Sequence, residues 1–159
     1  MNLADLLVAP AVLPRLQAGS AEQVIRELGG ILKEHGYVAD GFVQATLDRE
    51  RETPTGLPLA GAVNAALPHV DPSHVLRPAV GLATLVDPVE FGHMVEEGRR
   101  VAVRLVIMLA LDKAEAQVQT LSEVAGILQD PALVDRIMAC ATPVELLDVI
   151  RQLPGQQTP

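Results

Sequence analysis

The chain has 159 residues, enough for one ordinary domain with a single core. Its 12 Lys and Arg against 20 Asp and Glu leave a net charge of −8, which argues against nucleic acid or an anionic lipid surface as a partner. Aromatics make up 2% of the chain, which excludes a base-stacking platform, and the single cysteine, Cys140, excludes an internal disulfide and fits a reducing cytoplasm.

The first ten residues lack the basic start and long apolar stretch of a signal peptide. The apolar run 6–13, broken by Pro10, predicts an edge strand or extended entry segment, because proline cannot donate to a central ladder. Ser20 predicts a helix N-cap, with Gln23 completing a capping box and Val24, Ile25, Leu28, Ile31 and Leu32 on one face; Gly36 ends this helix. Asp40 predicts the cap of a second helix carrying Phe42, Val43 and Leu47, which Pro54 and Gly56 stop, leaving Arg49 in its last turn. The period then changes to that of strands at 62–67, 79–86 and 101–109, the last apolar almost throughout and therefore central. Asp112 and Glu115 predict a further helix start, with Val118, Leu121, Ala125 and Leu128 as the buried stripe and Gln117 one turn before Leu121. Asp130-Pro131 opens another helix, and Thr142, Pro143 and Glu145 supply the N-cap, first-turn proline and capping-box acid of the last.

This order predicts one α/β domain, a mixed, roughly five-stranded β-sheet flanked by helices on both faces, over 1–153, with 154–159 as a flexible tail. The apolar run 105–111 is far too short to cross a bilayer, which takes roughly 20 helical residues.

Among four histidines, His35 sits in a helical last turn, His74 in an Asp-Pro-Ser-His turn and His93 after Gly92, all ordinary surface settings. His69 differs, because it follows an apolar run and Pro68 at the point where a strand opens into a loop. Imidazole is a usable nucleophile near neutral pH, and the preceding proline narrows the directions in which the ring can point. Arg49 carries the planar, permanently charged donors that match phosphate oxygens, although an alternating Asp-Arg-Glu-Arg-Glu run is also what a solvated helix end looks like. Thr53 and Thr55 read equally well as turn residues. His69, Asp71 and His74 are close in sequence but do not have the spacing of a zinc site, and no glycine-rich phosphate loop follows a strand, so neither a metal nor a cofactor is expected. Asp87 and Glu90 are expected to cap backbone at a strand end.

Ala66-Leu67-Pro68-His69, with Arg49 and Pro54-Thr55-Gly56 before it and Pro88-Val89-Glu90-Phe91-Gly92 after it, resembles the enzyme IIA domain of the bacterial sugar phosphotransferase system, in its fructose and mannitol superfamily. The resemblance runs from Ser20 to Thr142. It implies that phosphorylated HPr passes a phosphoryl group to Nε2 of His69, which passes it to a cysteine of a cognate enzyme IIB, while a membrane enzyme IIC imports the sugar. It implies a cytoplasmic protein that needs no membrane insertion. Arg49, Thr55 and Gln117 are implied as phosphate-binding or supporting residues. Gln117 stands where the mannitol type carries a second histidine, and this departure, with the Arg-Glu-x-Glu-x-Pro-Thr-Gly segment, is most like the galactitol-type branch. Gln117 keeps a donor but cannot carry charge, which shifts reliance to Arg49. Asn64 replaces a common glycine and is expected to tolerate positive φ there. Leu57, Leu59 and Val70 are candidate docking residues around His69, with a core role as the alternative reading. A regulatory protein of the nitrogen type, whose phosphorylation state controls a partner, is the alternative function.

Overall fold

The computed structural model describes residues 1–157. In chain order the elements are α1 (Leu3–Leu6), β1 (Leu7–Leu16), α2 (Ala21–Glu34), α3 (Phe42–Glu52), β2 (Gly56–Leu57), β3 (Asn64–Ala66), β4 (Ala79–Gly92), β5 (Arg100–Ala110), α4 (Ala114–Leu128), α5 (Pro131–Ala139) and α6 (Pro143–Arg151). A single 3-10 turn at Pro72–His74 separates β3 from β4.

The sheet has five strands in the order β1-β4-β5-β3-β2. It is mixed: β1 with β4 and β3 with β5 run parallel, while β4 with β5 and β2 with β3 run antiparallel. β5 is the middle strand, and successive side chains feed opposite faces. Leu105, Ile107 and Leu109 pack with α1, α4, α5 and α6, whereas Val106, Met108 and Ala110 pack with α2 and α3. Helices therefore cover both faces, and burial on both sides explains why this strand is apolar almost throughout.

β1 is an edge strand, and its register against β4 shifts between Leu7 and Val12 and again between Leu13 and Leu16, the intervals that hold Pro10 and Pro14. Prolines are tolerated there because an edge strand and a bulge each spare a ladder donor. β4 runs beyond the expected 79–86, continuing through Pro88 to Gly92 after a register shift between Thr84 and Val89. Asp87 and Glu90 are thus exposed strand positions, not caps at a strand end. The predicted strand 62–67 shortens to Asn64–Ala66.

The Ser20 side chain accepts from Gln23 N, but the Gln23 side chain accepts from Gly19 N, one residue before the reciprocal capping-box partner. The second helix is capped by Gly41 without a side-chain bond, so Asp40 does not do this job. In α4 the buried residues are Thr120, Val124, Ile127 and Leu128; Val118 and Ala125 are exposed. Of the expected stripe, Leu128 is buried and Leu121 packs on the core, while Thr120 and Val124 take the inward places expected of Val118 and Ala125. Asp130 and Thr142 cap α5 and α6 through Leu133 N and Glu145 N as predicted.

Within the segment expected to be a free tail, Gln156 is buried: its Oε1 accepts from Ala4 N, and its amide donates to Glu123, which also accepts from Leu3 N. The last two residues of that segment lie outside the described residues.

Candidate functional site

α3 ends in the run Asp48-Arg49-Glu50-Arg51-Glu52, closed by a bond from Thr53 N to Arg49 O. Arg51 lies on the solvated side and pairs with Asp48 at 3.5 Å. Glu50 points the other way. Its Oε2 accepts from Thr55 N at 2.7 Å and its Oε1 from the Thr55 hydroxyl at 2.8 Å, so the loop after the helix folds back onto its last turn.

Thr55, 3% exposed, opens the short β2–β3 pairing in which Gly56 faces Ala66 and Leu57 faces Ala65. Beyond that ladder the Thr55 hydroxyl oxygen accepts from Leu67 N at 3.1 Å, so a side chain replaces the next backbone rung. Any side chain at Gly56 would force a shift, since a Cβ would lie 2.5 Å from Gly92 O. Asn64 does not use positive φ: its Oδ1 accepts from Leu59 N and its Nδ2 donates to Ala102 O, pinning the turn before β3 to β5.

After Leu67 the chain leaves the sheet and returns to it. Leu109 N of β5 donates to Pro68 O at 3.0 Å, and His69 bridges Leu109 in parallel fashion. The half-buried His69 ring lies 2.8 Å through Nδ1 from Leu67 O. A carbonyl oxygen only accepts, so Nδ1 carries the hydrogen, and in the neutral ring Nε2 keeps its lone pair.

Arg49 reaches the same loop from the other side. Its Nη1 lies 3.7 Å from Asp71 Oδ1, two residues beyond His69, and its Nε is buried without a hydrogen-bond partner among the described residues. Burial raises the Glu50 carboxyl above the ordinary glutamate range, against the two hydrogen bonds from Thr55, which pull it down.

The fold therefore gathers Arg49, Thr55 and His69 around one loop. Gln117 sits half-buried in the first turn of α4, which follows directly on the end of β5, but among the described residues its side chain makes no hydrogen bond to that loop. Val70 is core at 8% exposure, which matches the core reading, and Leu57 and Leu59 are half-buried against the core. His35 is exposed at the α2 C-cap, and His93 Nδ1 accepts from Val95 N and Glu96 N within the β4–β5 turn. Among the described residues no three His, Cys, Asp or Glu side chains gather as metal ligands. Sequence reasoning missed Glu50 and the pairing role of Asp71; the signal for Glu50 was a carboxylate five residues before a threonine across a proline turn.

The sequence profile described as "Phosphoenolpyruvate-dependent sugar phosphotransferase system, EIIA 2" matches residues 6–153. The chain belongs to this family. It is similar to the galactitol-specific EIIA component of Escherichia coli (strain K12), 31% identical over 116 residues that make up 73% of this chain and 76% of that protein. The crystal structure of IIA mannitol from Escherichia coli superimposes with a TM-score of 0.73 at 31% identity, covering 90% of this chain and 97% of that one. The complex of enzyme IIAMTL with phosphorylated enzyme IIBMTL from the same organism does so with a TM-score of 0.72 at 30% identity, covering 90% and 95%. The chain is thus a component of the EIIA type, a mixed-sheet α/β domain of a phosphotransferase system, and none of its described helices is long and apolar enough to cross a membrane.

Proposed function

We propose that this chain is the phosphoryl carrier of a bacterial sugar or polyol phosphotransferase system, with His69 as the group that receives and releases the phosphoryl. The observation that carries this reading is the bond between His69 Nδ1 and Leu67 O, which leaves Nε2 as the nucleophile of the neutral ring. In the first step the Nε2 lone pair attacks the phosphorus of phosphohistidine on HPr; the P–N bond to HPr breaks, and its electron pair returns to the HPr ring. In the second, a cysteine thiolate of enzyme IIB attacks the same phosphorus and the Nε2–P bond breaks, restoring the free ring. The hydrogen stays on Nδ1, donated to Leu67 O, throughout.

Such a transfer asks the protein mainly for position and for charge to meet the phosphoryl oxygens. Arg49 meets that charge, and its buried, unpartnered Nε supports the assignment. Thr55 is a support and not a phosphate ligand, since its hydrogen and a lone pair are already committed to Glu50 and Leu67. Gln117 is an auxiliary donor from α4. No enclosed pocket is required, because donor and acceptor are themselves proteins. A cleft lined by Leu47, Glu50, Pro54, Phe91 and His93 does not include His69.

Similarity to the galactitol-specific component favours a galactitol-like polyol system in the cytoplasm, with a membrane enzyme IIC downstream. Incubation with phosphorylated HPr tests the reading: the expected product is an acid-labile, alkali-stable adduct that disappears in His69→Ala, and an unchanged adduct in that variant overturns it. Chasing the adduct with candidate enzyme IIB proteins tests the second step. A phosphorylated chain that no IIB discharges would replace transport with the nitrogen-type regulatory role.

A further inference from the structure

We propose that Glu50 is a positioning residue for His69, acting through Thr55 and Leu67 to hold the carbonyl that keeps the imidazole in its Nε2-free form. This rests on His69 being the phosphoryl acceptor only for its kinetic consequence; the tautomer itself is a property of the resting protein.

The two acidic neighbours of Arg49 in the helix-end charge run do different things. Asp48 pairs with Arg51 on the solvated face. Glu50 has no ion-pair partner among the described residues, and both of its oxygens are spent on Thr55, at 2.7 and 2.8 Å. A carboxylate only accepts, so the Thr55 hydroxyl hydrogen is committed to Glu50 and the hydroxyl presents a lone pair to Leu67 N at 3.1 Å. Without Glu50 the hydroxyl is free to rotate its hydrogen elsewhere, and the buried Leu67 N–H loses a fixed acceptor.

Leu67 is the residue that needs this anchoring. It is followed by Pro68, which has no N–H, so the Leu67–Pro68 peptide cannot donate to the sheet. The Leu67 carbonyl is therefore held from its flanks, by Thr55 on Leu67 N and by Leu109 N on Pro68 O. That carbonyl is the only hydrogen-bond partner of the His69 ring among the described residues. The raised carboxyl of Glu50 is consistent with a group kept half out of water for the bonds it makes.

The test is histidine ring ¹⁵N NMR on the unphosphorylated chain, paired with the rate of phosphorylation by phosphorylated HPr, for wild type, Glu50→Ala, Glu50→Gln, Thr55→Val and Thr55→Ser. In wild type the Nε2-unprotonated tautomer is expected to dominate. Glu50→Ala and Thr55→Val are expected to mix the tautomers and slow phosphorylation about tenfold or more, the scale on which outer partners of a functional histidine act. Glu50→Gln, with one acceptor oxygen left, is expected to shift part of the way, and Thr55→Ser, which keeps the hydroxyl, to retain the wild-type tautomer. A folded Glu50→Ala or Thr55→Val with the wild-type tautomer overturns the proposal, even if its rate falls; if both fail to fold, an unshifted Glu50→Gln does so. If wild type takes no phosphoryl group, the proposed function fails, while the NMR comparison still decides the role of Glu50.

Discussion

The Arg49 guanidinium and the Asp71 carboxylate stand 3.7 Å apart, joining the last turn of α3 to the loop just beyond His69. The two side chains are 37% and 75% exposed, and a pair this open contributes about 0–1 kcal/mol to stability. The contact ties the cation to the loop that carries His69 and does little to hold the fold.

Arg49→Ala is therefore expected to leave stability within about 1 kcal/mol of wild type. Phosphorylation of His69 is expected to slow by about a hundredfold, the usual cost of removing one donor from developing charge. Stopped-quench phosphorylation beside thermal melting checks the split; equal losses in both would make Arg49 structural. Gln117→Ala, without a bond to the loop, is expected to slow transfer less than Arg49→Ala does.

Asp71 offers the guanidinium a competing anion in the resting site. In Asp71→Asn, Arg49 is released to the phosphoryl oxygens, and the half-life of the phosphorylated chain is expected to lengthen. Hydrolysis followed at fixed pH measures this, and a shortened half-life would show that Asp71 helps to orient Arg49.

Glu50 sets a pH dependence whose sign follows from its burial. Its carboxyl is raised on folding, so the native state holds the proton more tightly than the unfolded chain does. Its contribution to stability is fully present below the unfolded value of about 4.3 and declines as pH rises through the raised folded value. Denaturant melts across that window are expected to show this decline in wild type and to lose it in Glu50→Gln; identical profiles would mean that burial does not govern the group.

Gly56→Ala is expected to destabilise by about 1–3 kcal/mol, because the added carbon meets Gly92 O at 2.5 Å, with Phe91 and Val101 close behind. Relief would come by moving β2 outward, which carries Thr55 away from Leu67. Chemical denaturation together with the His69 ring spectrum would detect both effects, and a silent substitution would mean that the β4 turn yields instead.

Much of this architecture is written locally. Ser20, Asp130 and Thr142 announce their helices because a cap and its partner lie within one turn, and β5 announces its central place by being apolar on both faces. Two-residue β2 carries no period to read, and β4 passes through Pro88 because a bulge absorbs it, a tertiary matter that the local sequence does not encode. At the site, Pro68-His69 and the helix-end Arg49 stand out by residue type. Glu50 does not, since in an alternating charge run only the folded loop decides which carboxylate turns toward Thr55 and which stays in water.

The bond from Leu109 N to Pro68 O has a dynamic consequence. Its donor is a 1% exposed residue of the middle strand, so lifting the His69 loop strips a buried amide of its acceptor. Amide hydrogen exchange at Leu109 becomes a clock for the integrity of the site, running near the rate of global unfolding. The sheet's middle strand thus doubles as the anchor of the loop that carries His69.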